Sequence, residues 1–149
     1  MIKFQLVGDA EVAAKLGGLT ALARQGLRTG ILRSVIKLQR HVQQDKLSGQ
    51  VLHVRTGRLR RSIAQNVEAS GNEITGIVST AVSYAKTHEY GFKGTVNVRA
   101  HDRNGHPVRG HTRQVNLPER SFLRSALADF ERSGVIGQEV ANAIKQAIG

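Results

Sequence analysis

The hexapeptide His101-Asp102-Arg103-Asn104-Gly105-His106 holds the densest set of groups able to do chemistry in this chain. Metal-dependent nucleases use a β-hairpin carrying a histidine base with Asn or His metal ligands, and the flanking arginines would hold DNA. That mechanism needs the hairpin to run directly into a helix with a further ligand. Here Pro107-Val108-Arg109-Gly110-His111 continues as strand, and Asn104-Gly105 is already explained as a two-residue turn. His88 and Glu89 with His101, His106 and His111 offer imidazoles and a carboxylate to zinc, but no spacing enforces a site, and His101 and His111 fall on opposite faces of the hairpin. The chain has no cysteine, which removes disulfides, thiolate zinc sites and Cys nucleophiles. Acidic residues are few and scattered, and no phosphate-loop or dinucleotide pattern occurs. No catalytic, cofactor-binding or metal-binding residue is assigned, and the expectation is a protein that is not an enzyme and carries no cofactor.

Charge is more informative. The 149 residues carry a net charge of +11, and the excess is localised. Between Arg24 and Arg61 ten basic residues face one acid, Asp45, and between Lys93 and Arg113 five face Asp102. Concentrated charge of this kind favours polyanions or acidic partner surfaces. The candidate contact residues are Arg33, Lys37, Arg40, Arg55, Arg58, Arg60 and Arg61 in the first segment and Arg99, Arg103, Arg109 and Arg113 in the second. Phosphate tracking by these residues would be non-specific, because no helix-turn-helix, zinc-finger or aromatic RNA-stacking pattern is legible.

The elements that must position these residues follow from periodicity. Ile2, Phe4 and Leu6 alternate with polar residues as in a half-buried strand, and Asp9 would cap a short helix from about Ala10 to Leu16, stopped by Gly17-Gly18. Leu27, Ile31, Val35, Leu38 and Val42 form one stripe of a long helix from about Thr20 to Lys46, with Arg33, Lys37 and Arg40 opposite, and Gly26 and Gly30 each weakening it by about 1 kcal/mol relative to Ala. Ser48-Gly49 breaks the pattern, Val51 to Arg55 is loop, and Thr56 would cap a single helical turn. A hairpin through Ser70-Gly71-Asn72 joins a strand after Ile63 to the β-branched run Glu73 to Thr80. Tyr84 to Gly91 reads as a short helical segment with Tyr84, His88 and Ala85 on one side, an anchored and core-like turn stopped by Gly91. Residues 94–116 form a basic, water-facing β-hairpin arm: Val98 to Arg103 is echoed by Val108 to Arg113 across Asn104-Gly105, pairing Arg103 with His106, His101 with Val108 and Arg99 with Gly110. Two helices close the chain, one starting near Pro118 with Phe122, Leu123, Ala126, Leu127 and Phe130 on one face, the other with a stripe of Ile136, Val140, Ile144 and Ala147. The fold class is α+β in a single domain, residues 1–149: a small antiparallel or mixed sheet packed against a long helix in the N-terminal half, with the arm and C-terminal helices. The opening residues lack the apolar run of a signal peptide, and no later run spans a membrane, so the sequence implies a soluble protein made in the cytoplasm, with no membrane partner.

Three blocks occur in a distinctive order: Arg55-Thr56-Gly57-Arg58-Leu59-Arg60-Arg61-Ser62-Ile63, then Tyr84-Ala85 through His88-Glu89-Tyr90-Gly91, then Arg120-Ser121-Phe122-Leu123-Arg124-Ser125-Ala126-Leu127. Together they resemble the tail-completion, head-tail joining or minor tail proteins (virion morphogenesis proteins) of tailed bacteriophages and prophages, over most of the chain to Phe130. The resemblance implies a subunit that forms a ring with copies of itself at the neck or proximal tail. Its implied neighbours are head-tail connector and tail-tube or terminator proteins, with DNA passing through the channel, and its implied location is the host cytoplasm and then the virion. It brings no catalytic residues, and it makes Thr56, Gly57, Tyr84, His88, Tyr90 and Gly91 structural. This chain departs from the pattern in having Ser121 where many relatives have Pro, and in the length of its arm. The alternatives are a non-specific nucleic-acid-binding protein and, behind it, the metal-dependent nuclease.

Overall fold

The computed structural model describes residues 2–6, 21–71 and 73–149. The expected short helix Ala10 to Leu16, its Asp9 cap, its Gly17-Gly18 stop and the Asn72 position of the turn lie outside the described residues. The architecture is α+β. Strand β1 (Ile2–Leu6), helix α1 (Ala21–His41), a single turn α2 (Arg58–Arg61), strands β2 (Ala64–Ser70) and β3 (Glu73–Thr80), and a short helix α3 (Ala85–Tyr90) form the first part. The arm follows with β4 (Phe92–Val98), β5 (His101–Arg103), β6 (His106–Val108) and β7 (His111–Leu117), then helices α4 (Leu123–Ser133) and α5 (Val135–Ile148).

Strands β2 and β3 make the expected hairpin, and β1 pairs antiparallel on the far side of β3, giving the order β1-β3-β2. The apolar stripe of α1 lies on this sheet. Val35, Leu38 and Val42 join Ile63, Val78, Ala85, Phe122, Leu123 and Ala126 in the main core, while Leu27 and Ile31 pack with Val67, Ile74, Val140 and Ile144. After His41 the helix does not stop near Lys46 but widens into a π-helical stretch, Val42–Gln50, that bends at Ser48 and Gly49. The carbonyl of Lys46 accepts both Val51 N and Leu52 N at 3.1 Å, so the chain turns inward and buries Leu47 and Leu52.

Gly26 and Gly30, costly to an isolated helix, are the contact line for α5. A Cβ on Gly30 would stand 2.6 Å from Val140 Cα, and one on Gly26 would stand 2.9 Å from Ile144 Cα and the Ala147 Cβ. Only glycine lets the two backbones approach this closely.

In the arm, β4 pairs with β7 and β5 with β6. Asn104 (φ +54°) and Gly105 (φ +80°) supply the two positive φ values of the predicted turn, and Asp102 Oδ1 accepts Gly105 N at 2.7 Å. Arg103 opposes His106 and His101 opposes Val108 as expected. The expected Arg99–Gly110 pair is not made, because the ladder breaks between Val98–His111 and His101–Val108. The echo in sequence is an echo in structure: His101 Nδ1 lies 2.9 Å from Arg99 O and His111 Nδ1 lies 2.9 Å from Arg109 O.

Helix α4 begins at Leu123 and not near Pro118. Strand pairing runs through Leu117, held by Phe92, and the helix start is fixed further on by a side chain from α3.

Candidate functional site

The chain reaches α2 through Gly57, whose φ of +69° makes the sharp entry. Gly57, not Thr56, occupies the N-cap position, though the Thr56 hydroxyl accepts Arg58 N at 3.4 Å. Arg61 folds back so that Nη2 donates to Thr56 O (3.2 Å), and Ser62 Oγ, 2.7 Å from Thr80 Oγ1, ties the turn to the end of β3. This turn, the loop from Leu52 to Arg55, and Tyr84, His88 and Arg120 enclose a cleft of about 470 Å³. Its apolar lining is Leu47, Leu52, Leu59 and the exposed Val54, and its rim is cationic, from Arg55, Arg58, Arg60 and Arg120, with no acidic residue among the described lining. Arg60 Nη1 donates to Ser48 Oγ at 3.2 Å. Among the described residues the side chains of Arg55, Arg58 and Arg120 meet no hydrogen-bond acceptor or carboxylate. The His88 ring lies edge-on to Tyr84 with centroids 5.9 Å apart. Partial burial, helped by the Arg120 charge, holds the His88 imidazole below its ordinary pKa, so it is neutral at neutral pH.

The residue after His88 points the other way. Glu89 is 0% exposed. Its Oε2 accepts Phe122 N (2.8 Å) and Leu123 N (2.9 Å), and its Oε1 accepts Arg124 N (2.9 Å), Ser121 Oγ (2.8 Å) and Arg124 Nε (3.2 Å). These are the amide groups that the first turn of α4 leaves unpaired, and no residue of that turn caps them itself. A carboxylate there also meets the positive end of the helix. Arg120 N donates to His88 O (2.8 Å), and Arg124 bridges Glu89 and Glu119 while lying 4.6 Å from the Tyr90 ring centroid. The second and third sequence blocks are one structural joint.

The expected site residues therefore divide. Arg55, Arg58, Arg60, Thr56, Gly57, Tyr84 and His88 share the cleft. Arg33 donates to Gln146 (3.0 Å) and Lys37 pairs with Glu139 (2.5 Å), so these two hold α5 and are not a free basic face. Arg40 is exposed, and Arg99, Arg103, Arg109 and Arg113 are exposed along the arm. Tyr90 and Gly91 lie outside the cleft lining. The core-like reading of the Tyr84 to Gly91 segment holds for Ala85, which is in the main core, and is corrected for the two tyrosines: Tyr84 is 39% and Tyr90 48% exposed. In so short a helix Ala85 and Glu89, four residues apart, take the inner face, and Tyr84 and His88 the outer one. Sequence reasoning missed Glu89 as a cap and Arg120 and His53 as cleft residues; the available signal was a helix starting at Leu123 with no capping side chain just before it. Among the described residues no three His, Asp or Glu side chains are placed to hold a metal. No described helix is long and apolar enough to cross a membrane. No protein-family model matches the chain, and neither does any curated protein or solved structure.

Proposed function

We propose that this protein is a structural subunit of the neck or proximal tail of a tailed phage or prophage, acting in tail completion or head-tail joining by ring assembly. The observation that supports this reading is the convergence of the three sequence blocks. The Thr-Gly-Arg-Leu turn, Tyr84 and His88 of the second block and Arg120 of the third meet at one cationic cleft, and Glu89 locks the second block to the third. Residues far apart in sequence are held together there to present charge outward, which is what a surface for acidic neighbours requires. The arm is a two-stranded ribbon whose outer edges pair with no other described strand, a geometry suited to strand addition by an adjacent subunit.

The test is composition and cryo-EM of tailed particles from a lysate encoding the chain, with multiple copies expected at the neck. Deleting residues 100–109 would leave Val98 and His111 paired across an Arg99-Gly110 turn, and is expected to give a folded subunit that assembles poorly. The second reading, non-specific nucleic-acid binding, is favoured by the exposed arm arginines. Absence from particles, together with DNA binding that weakens steeply with salt, would replace the first reading with the second.

A further inference from the structure

The cleft lies at the open end of the β2–β3 hairpin: α2 runs into β2 through Ser62 and Ile63, and the chain leaving β3 at Thr80 reaches Tyr84 four residues on. The closed end, one strand length or roughly 20 Å away, carries carboxylates on one face. Glu68 and Glu73 are exposed there, and the pairs Glu68–Thr75 and Ser70–Glu73 put both carboxylates on one face of the hairpin. Glu68 accepts Asn66 Nδ2 (3.1 Å) and Glu73 accepts Thr75 Oγ1 (3.2 Å), but neither has a cationic partner among the described residues. Arg24 and Arg28 of α1 lie beside the other face, along a groove with Ala69 and Ile74. Gly71 lines the same groove, so the tip's other face lies beside the start of α1 while Glu68 and Glu73 remain exposed.

Most other described carboxylates are engaged. Asp45 and Asp129 hold His41, Lys46 and Arg132, Glu139 holds Lys37, Glu89 and Glu119 hold Arg124, and Asp102 holds its turn; Glu131 is the exception, alone on α4. Apart from the arm, Arg40 and Glu131, a concave cationic cleft and an exposed acidic face thus lie at opposite ends of one hairpin. They cannot meet within one copy. Between copies they are complementary, and a contact joining two different patches repeats head to tail, closing into a ring or running on as a filament.

We propose that the acidic tip of the β2–β3 hairpin of one copy seats in the cationic cleft of the next, with Glu68 and Glu73 facing Arg55, Arg58 and Arg120. This builds on the ring-assembly reading and names its interface. The experiment is sedimentation velocity of the purified full chain at low ionic strength, where such contacts are least screened. The wild-type chain is expected to form concentration-dependent oligomers that dissociate with salt. The cleft variant Arg55→Glu with Arg58→Glu, and the tip variant Glu68→Lys with Glu73→Lys, are each expected to associate about tenfold or more weakly, with unchanged circular dichroism and melting. Mixed in equal amounts the two variants regain oligomers, because each reversed pole then meets its opposite. A wild-type chain that stays monomeric, oligomers indifferent to both variants, or a mixture that stays dissociated overturns the proposal. A chain found as a ring in phage necks but insensitive to both variants would overturn this interface alone; oligomers that obey the charge exchange, from a chain absent from particles, would overturn the phage reading alone.

Discussion

His88 and Glu89 are neighbours in the chain and belong to opposite kinds of site. Glu89 sits fully buried with both oxygens occupied by the start of α4, while His88 opens onto a cleft whose Arg55, Arg58 and Arg120 meet no carboxylate among the described residues. In one site charge is satisfied internally and contributes to holding the fold; in the other the described residues leave it exposed at the surface. The difference teaches that net charge alone does not locate a contact surface. Arg33 and Lys37, as basic as the cleft residues, are taken up by α5.

The comparison breaks most readily at Glu89. Glu89→Ala leaves the Phe122, Leu123 and Arg124 amides and the Arg124 guanidinium without their acceptor, and is expected to cost about 3–5 kcal/mol, measured by urea denaturation. A loss as small as that of an exposed charge would mean that the joint is not structural. Next comes the glycine line between α1 and α5. Gly30→Ala forces a methyl group against Val140 Cα and is expected to destabilise by about 1–3 kcal/mol, visible as a lower denaturation midpoint. A neutral effect would show that α5 can slide away freely.

The smallest effect belongs to His88. Its pKa is lower in the folded chain than its ordinary 6.5, so the folded state binds the proton less tightly than the unfolded one. The stability this represents is present above 6.5 and is lost as pH falls through that value towards the folded pKa. Denaturation midpoints taken between about pH 7.5 and about pH 5.5 should fall with acidification, and His88→Gln should flatten that slope. An unchanged slope would place the His88 ring in water in both states. Asp129, held below its ordinary value by hydrogen bonds from Lys46 and then His41, has the same sign but acts only in the acid range.

Much of the fold was legible because it depends on neighbours a few residues apart. The period of α1, the hairpin through Gly71 and the paired positive φ values of Asn104 and Gly105 follow from side-chain spacing and backbone sterics. The start of α4 was misplaced because Pro118 is a local signal, whereas the group that caps the helix comes from more than 30 residues away. The Tyr84 segment was misread for a related reason: aromatic rings suggest burial, but a six-residue helix can bury only one narrow face, and here that face carries Glu89.

The sequence by itself determined the α+β class, the long amphipathic helix, the arm with its turn, and the two basic segments. Tertiary structure decided which of those charges are already spoken for. Lys37 meets Glu139 across 102 positions and Arg33 meets Gln146 across 113. It also gave Gly26 and Gly30 their purpose, as the line along which α5 approaches α1. A residue's local conformation is set within a turn or two of chain, but whether its charge is satisfied depends on what the fold brings from elsewhere.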